Sequence, residues 1–191
     1  MSQIILASAS PRRAELLDQV GITYDIQSVD IDESVRPNES AEDLVQRLAI
    51  EKSQAVTNTD KPVLGSDTLG LINDHILVKP TDLDHSIKML SDMSGNWHEI
   101  LSAVAISYNG NTHVKLNRNR VLFREITQDE MIRYWKTGEP QDKAGSYAIQ
   151  GIAAMFIQRI EGSYSGIMGL PLFETMQLLN DLGISNLETN E

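Results

Sequence analysis

The chain has 191 residues and sets 27 acidic against 16 basic side chains, a net charge of −11. That balance excludes the broad basic footprint by which nucleic acid is held. It has no cysteine, which excludes disulfides, thiolate metal sites and a cysteine nucleophile, and no run approaches the ~20 apolar residues that span a bilayer.

The length suits one large domain, residues 1–191, or two small lobes with a sizeable core. Ile4 to Ala7 reads as a buried strand that breaks at Ser8 and restarts as a helix from Pro11 to about Val20. Ser10 is the expected N-cap, Pro11 suits the first helical position and Gly21 the left-handed residue that ends the helix. Arg12 and Arg13 stand in the first turn, where the helix dipole disfavours positive charge. Two cations there, beside unpaired backbone N–H groups, point to an anion site; a surface turn with solvated arginines is the alternative.

Ile22 to Val29 alternates as a half-buried strand would, and an acidic loop containing Glu33 follows. Ser40 opens a helix in capping-box fashion, with Leu44, Leu48, Ala55 and Val56 as its core stripe. Lys52 lies near that stripe, so it either snorkels or points its ammonium at an anion. Pro62 to Leu64 reads as a short strand ending in Gly65-Ser66-Asp67-Thr68. This would place the Asp67 carboxylate at a strand's C-terminal end, where open α/β sheets bind ligands, unless it is a turn residue.

Leu69 to Leu77 turns at Asn73-Asp74 as a hairpin and delivers Lys79, which Pro80 holds extended before a helix capped at Thr81/Asp82. Ile100 to Tyr108 and Thr112 to Phe123 form a second hairpin, with Lys115, Arg118, Arg120 and Arg124 expected on a solvated face. His98 has no neighbouring His or Cys at ligand spacing and reads as structural or surface. Thr127 to Glu130 is a capping box opening a short helix through Trp135 to Gly138. The loop from Glu139 to Gly151 is long enough to suggest function, and Gln150 offers a donor and acceptor pair suited to a base edge, or simply to backbone. Phe156 to Ile160 is expected as a strand, Gly162 to Gly166 as a mobile turn, and Leu172 to Leu182 as a last helix. The tail from Asn186 is expected to fray. The N-terminal segment shows no basic-then-apolar leader, so the cytoplasm is the expected compartment. Strands and helices alternate but hairpins intrude, which predicts an α/β fold with a mixed twisted sheet and flanking helices.

Four cations (Arg12, Arg13, Lys52, Lys79) and two carboxylates (Glu33, Asp67) sit at element ends or on an inward face. Arginine forks and lysine point charges match a polyphosphate, and carboxylates beside one make sense with a divalent cation between. Metal-assisted hydrolysis of a nucleoside polyphosphate follows, with one carboxylate taking a proton from water. Neither a P-loop nor a Gly-x-Gly-x-x-Gly motif is present.

Ser8-Ala9-Ser10-Pro11-Arg12-Arg13, Glu51-Lys52, Gly65-Ser66-Asp67-Thr68, Lys79-Pro80, Asp142 to Tyr147 with Ile149-Gln150-Gly151, and Gly169-Leu170-Pro171-Leu172 together resemble the Maf family of nucleoside triphosphate pyrophosphatases. The motifs run in the family's order over nearly the whole chain; Ser66 and Ser102 stand where Ala and Thr are more usual. The resemblance implies an inosine triphosphate pyrophosphatase-like fold with two lobes around a central cleft. It implies cleavage between the α- and β-phosphates with Mg²⁺ or Mn²⁺, and homodimerisation. By the same resemblance Asp67 is the general base, and Ser8, Arg12, Arg13, Lys52 and Lys79 hold phosphates. The resemblance also implies that Glu33, with Asp67, binds metal. Arg12, Thr68 and Gln150 match the branch acting on dTTP and UTP. Alternatives are a 7-methyl-GTP or ITP pyrophosphatase and a nucleotide-binding regulator of septum formation that does not hydrolyse.

Overall fold

The computed structural model describes residues 2–186. Seven strands form one mixed sheet: β1 (Ile4–Leu6), β2 (Tyr24–Ile26), β3 (Val63–Ile72), β4 (His75–Leu77), β5 (Trp97–Tyr108), β6 (Asn111–Phe123) and β7 (Ile157–Glu161). Their order is β2-β1-β3-β5-β6-β7, with β4 paired to β3. β1 lies parallel to both β2 and β3, whereas β3–β4 and β6–β7 are antiparallel. Among the described residues six α-helices accompany the sheet: α1 (Pro11–Gln19), α2 (Ala41–Gln54), α3 (Leu83–Met93), α4 (Gln128–Trp135), α5 (Tyr164–Met168) and α6 (Leu172–Asn180). The mixed α/β architecture is therefore the expected one.

The chain divides into two compact units. The first comprises residues 1–68, 102–117 and 169–191, and the second residues 69–101 and 118–168. In the first unit Ile5, Ala7, Val56 and Val63 pack together. The second has its own core, built around Met89, Leu90, Met93, Phe123, Tyr134 and Phe156.

Local chemistry sets most boundaries. Asp82 caps α3 by accepting from the His85 N–H, and Thr127 and Glu130 close a reciprocal capping box on α4. Gly21 and Gly183 adopt positive φ just beyond α1 and α6.

Other expectations are corrected. Ser10 makes no side-chain cap on α1; Ser8 Oγ accepts the Ser10 N–H instead, at 3.2 Å. The strand after Gly21 shrinks to three residues, the length over which it pairs with the three-residue β1, and Ile26 at this sheet edge is exposed. α2 ends at Gln54 and Ala55 is exposed, whereas Leu44, Leu48 and Val56 are buried as expected and Val45, Ala49 and Ser53 widen the buried face. β3 does not stop at Thr68 but continues to Ile72, which places Asp67 mid-strand. The expected turn at Gly162–Gly166 is partly helical, since α5 begins at Tyr164, and Asn119 Oδ1 accepts the Ser163 N–H at 2.6 Å. Of the expected tail, only Asn186 is among the described residues, and it donates to the Val20 carbonyl.

Candidate active site

The site grows from a close approach of backbones in the first unit. A Cβ on Gly65 would lie 2.3 Å from the Ala49 carbonyl oxygen and 2.5 Å from the Ser53 nitrogen. Only glycine lets β3 and α2 meet so closely. Two residues along, Asp67 falls on the same face of the strand. One helical position before Ser53, Lys52 reaches it. Lys52 Nζ lies 2.7 Å from Asp67 Oδ1 and 2.6 Å from Glu33 Oε1. The lysine side chain is 11% exposed and that of Asp67 13%, whereas Glu33 approaches from the solvent side at 61%. Of the two readings open for Lys52, the ammonium aimed at anions is the one observed.

Arg13 stands within the field of the same carboxylates. Burial pushes its guanidinium down from the ordinary arginine range, Asp67 opposes that shift, Arg12 adds to it, and Glu33 opposes it. Its Nε donates to the Gly169 carbonyl at 2.9 Å and its Nη1 to Ser8 Oγ at 2.9 Å. Ser8 thus links the end of β1 to the start of α1, and the two contacts fix the direction of the guanidinium.

On the opposite face of β3, Ser66 and Thr68 both turn to Gly169. Ser66 Oγ donates to the carbonyls of Ala103 (2.8 Å) and Gly169 (3.2 Å). Thr68 Oγ1 pairs with Ser102 Oγ at 2.7 Å and reaches the Gly169 carbonyl at 3.4 Å. Gly169 has φ +130°, a conformation open to glycine and few others, and its one oxygen gathers Arg13, Ser66 and Thr68. Ion pairs therefore join Glu33, Lys52 and Asp67, and the Ser8 hydroxyl and Gly169 carbonyl tie Arg13 to Ser8 and Thr68, while Arg12 lies half-buried in the first turn of α1.

Lys79 and Gln150 belong to the second unit. Lys79 is exposed on the segment after β4, where the Val78 carbonyl accepts the Gly145 N–H at 3.0 Å. Gln150 is exposed on a turn closed by the Gly151 N–H and the Ala148 carbonyl. Glu139 fastens that turn from behind, accepting from Ile152 N (2.7 Å), Ala153 N (3.1 Å) and the Tyr134 hydroxyl (2.7 Å). His98 is structural: 2% exposed, with Nε2 at 2.7 Å from the Tyr147 hydroxyl and its pKa pushed down by burial to about 4.

Sequence reasoning named Gly65, Gly169, Ser102 and Glu139 within motifs or at a loop end but gave none of them a structural role. Glycine and serine in a strand or turn carry little signal, and the partners of Glu139 include Ile152 and Ala153, 13 and 14 positions away, which no local pattern joins to it.

An ammonium joined to two carboxylates, with an oriented guanidinium in their field, makes a polar, charge-balanced cluster of groups able to meet a polyanion. The Maf-like protein family matches residues 3–182. The chain belongs to the Maf family. It is 49% identical over 187 residues to the dTTP/UTP pyrophosphatase of Hahella chejuensis, covering 95% of this chain and 93% of that one. The dTTP/UTP pyrophosphatase of Methylobacillus flagellatus is 48% identical over 189 residues, covering 97% and 95%. That of Vibrio parahaemolyticus is 45% identical over 181 residues, covering 93% and 96%.

Proposed function

We propose that this chain hydrolyses dTTP and UTP between the α- and β-phosphates, releasing the nucleoside monophosphate and pyrophosphate. The observation that carries the reading is Lys52 joined to both Glu33 and Asp67 within the field of Arg13. The family match runs through both units, which supports treating residues 1–191 as one catalytic domain.

In this reading Ser8, Arg12, Arg13, Lys52 and Lys79 hold the phosphates, while Thr68 and Gln150 contribute to nucleotide choice. Asp67, as a carboxylate, accepts the proton of the attacking water, and Lys52 keeps the two carboxylates from repelling the incoming triphosphate. The hard oxygens of Glu33 and Asp67 suit Mg²⁺ or Mn²⁺. Among the described residues no three His, Cys, Asp or Glu gather as a metal cluster. A cation held by this pair alone would take its remaining ligands from phosphate and water, as Mg²⁺ commonly does. When bound it supplies charge stabilisation to the phosphate oxygens. Among the described residues no helix is long and apolar enough to cross a membrane.

The test is a panel of dTTP, UTP, CTP, GTP, ITP and 7-methyl-GTP with Mg²⁺ or Mn²⁺, followed by product analysis. The expected result is pyrophosphate with dTMP or UMP, and faster turnover of dTTP and UTP than of the purines. Release of orthophosphate with a nucleoside diphosphate would overturn the bond assignment. Preference for 7-methyl-GTP or ITP would overturn the substrate assignment.

A further inference from the structure

Glu33 lies in an irregular loop and its own side chain is 61% exposed. An ion pair so open to water contributes little towards holding its loop. What restrains the loop is Arg47, on the second turn of α2. Its Nε and Nη2 grip the Glu39 carboxylate in a fork at 2.6 and 2.9 Å, and Nη1 meets Glu51 at 3.1 Å. The same nitrogens reach the backbone on either side of Glu33: Nη2 donates to the Ser34 carbonyl at 2.9 Å, and Nη1 to the Asp32 carbonyl at 3.4 Å. The Arg47 and Glu39 side chains are only 12% and 8% exposed, unlike an ordinary surface pair. Arg36 adds a second tie, with its N–H on Glu39 (2.9 Å) and its guanidinium on Glu51 (2.8 Å).

We propose that Arg47 is a positioning residue for Glu33: by clamping the carbonyls of Asp32 and Ser34 it keeps the Glu33 carboxylate on Lys52. The inference rests on the reading of Glu33 and Lys52 given above. Glu39 is the counter-charge that holds the fork in register, its carboxyl drawn down to about 2 chiefly by Arg47. The geometry is specific to arginine. A lysine in its place keeps the charge for Glu39 and Glu51 but cannot serve both carboxylates and both carbonyls from one planar group.

The test is a cycle of Arg47→Gln, Glu33→Gln and the double variant in the full chain, with kcat and KM for UTP and melting temperature measured for each. Arg47→Gln is expected to lower kcat about tenfold or more, the range found when a residue orienting a ligand from outside is lost. In the Glu33→Gln background the same change is expected to alter kcat less than about twofold, because coupled residues do not add. Arg47→Lys, with the charge retained, is expected to show the same kcat loss with less change in melting temperature. Reductions that multiply in the double variant overturn the proposal, as does a folded Arg47→Gln enzyme with unchanged kcat. If both Arg47 variants melt below the assay temperature, Arg47 is a stability residue and the positioning role is overturned. A Glu33→Gln enzyme with wild-type kcat overturns the reading of Glu33 itself, and the proposal with it.

Discussion

At the scale of single residues, the buried histidine shows how far one environment departs from the reading of one letter. His98 lies edge-on to Phe123 and Tyr147, with ring centroids 4.9 and 5.4 Å away, and holds the Tyr147 hydroxyl. Burial drives its pKa to about 4, so it is neutral in the folded protein at pH 7. An unfolded histidine titrates near 6.5, so between about pH 6.5 and 4 the unfolded chain binds the extra proton. Stability is therefore lost as pH falls through that window, by about 2 kcal/mol at pH 5 from this group. Urea denaturation at pH 7 and pH 5 is expected to show that loss, and His98→Gln to remove most of it. An equal loss in the variant would assign the acid sensitivity elsewhere. The spacing of His98 in the sequence was enough to set metal ligation aside. Its partner, 49 positions away, was not legible because no local pattern joins Trp97-His98 to Ser146-Tyr147.

At the scale of elements, the ends declared themselves better than the contacts. Pro11, Asp82, the Thr127/Glu130 box and Gly21 act within a few residues, so their meaning is local and was readable. The extent of β3 was not. Gly65-Ser66-Asp67-Thr68 has turn composition, yet all four residues sit inside a ten-residue strand. Packing overrides propensity there: Gly65 admits the α2 backbone, while Ser66 and Thr68 find partners in Ala103, Ser102 and Gly169. Lys52 could be placed on a helix from sequence, but its target depends on how closely α2 approaches β3. Gly65→Ala tests that approach. The added methyl meets helix backbone, which cannot rotate away, and overpacking of this kind costs about 1–3 kcal/mol. The expected outcome is a lower urea midpoint together with reduced turnover, as Lys52 is displaced from Asp67. Wild-type midpoint and turnover would contradict the role given to the contact.

At the scale of the whole molecule, the candidate residues are distributed between two units. Ser8, Arg12, Arg13, Glu33, Lys52, Asp67 and Thr68 lie in the first, and Lys79 and Gln150 in the second. Family membership was legible because the motifs stand in a fixed order along nearly the full chain, and the match over residues 3–182 bears it out. The architecture followed from alternating elements interrupted by hairpins, and the mixed sheet agrees. Less visible was the joining of distant segments, such as Arg13 to Gly169 across 156 positions, since long-range pairing leaves no periodic trace. That joining fixes the Arg13 guanidinium between Ser8 and Gly169. The electrostatic logic is a carboxylate on a rigid strand, neutralised by one lysine and flanked by an oriented arginine.

The most direct test of that logic is pyrophosphate release from UTP and dTTP by Asp67→Asn, measured beside its melting temperature. The amide is nearly isosteric but cannot accept the proton of an attacking water at neutral pH. The account predicts a folded protein with pyrophosphate release lost; near-normal turnover by Asp67→Asn would contradict it.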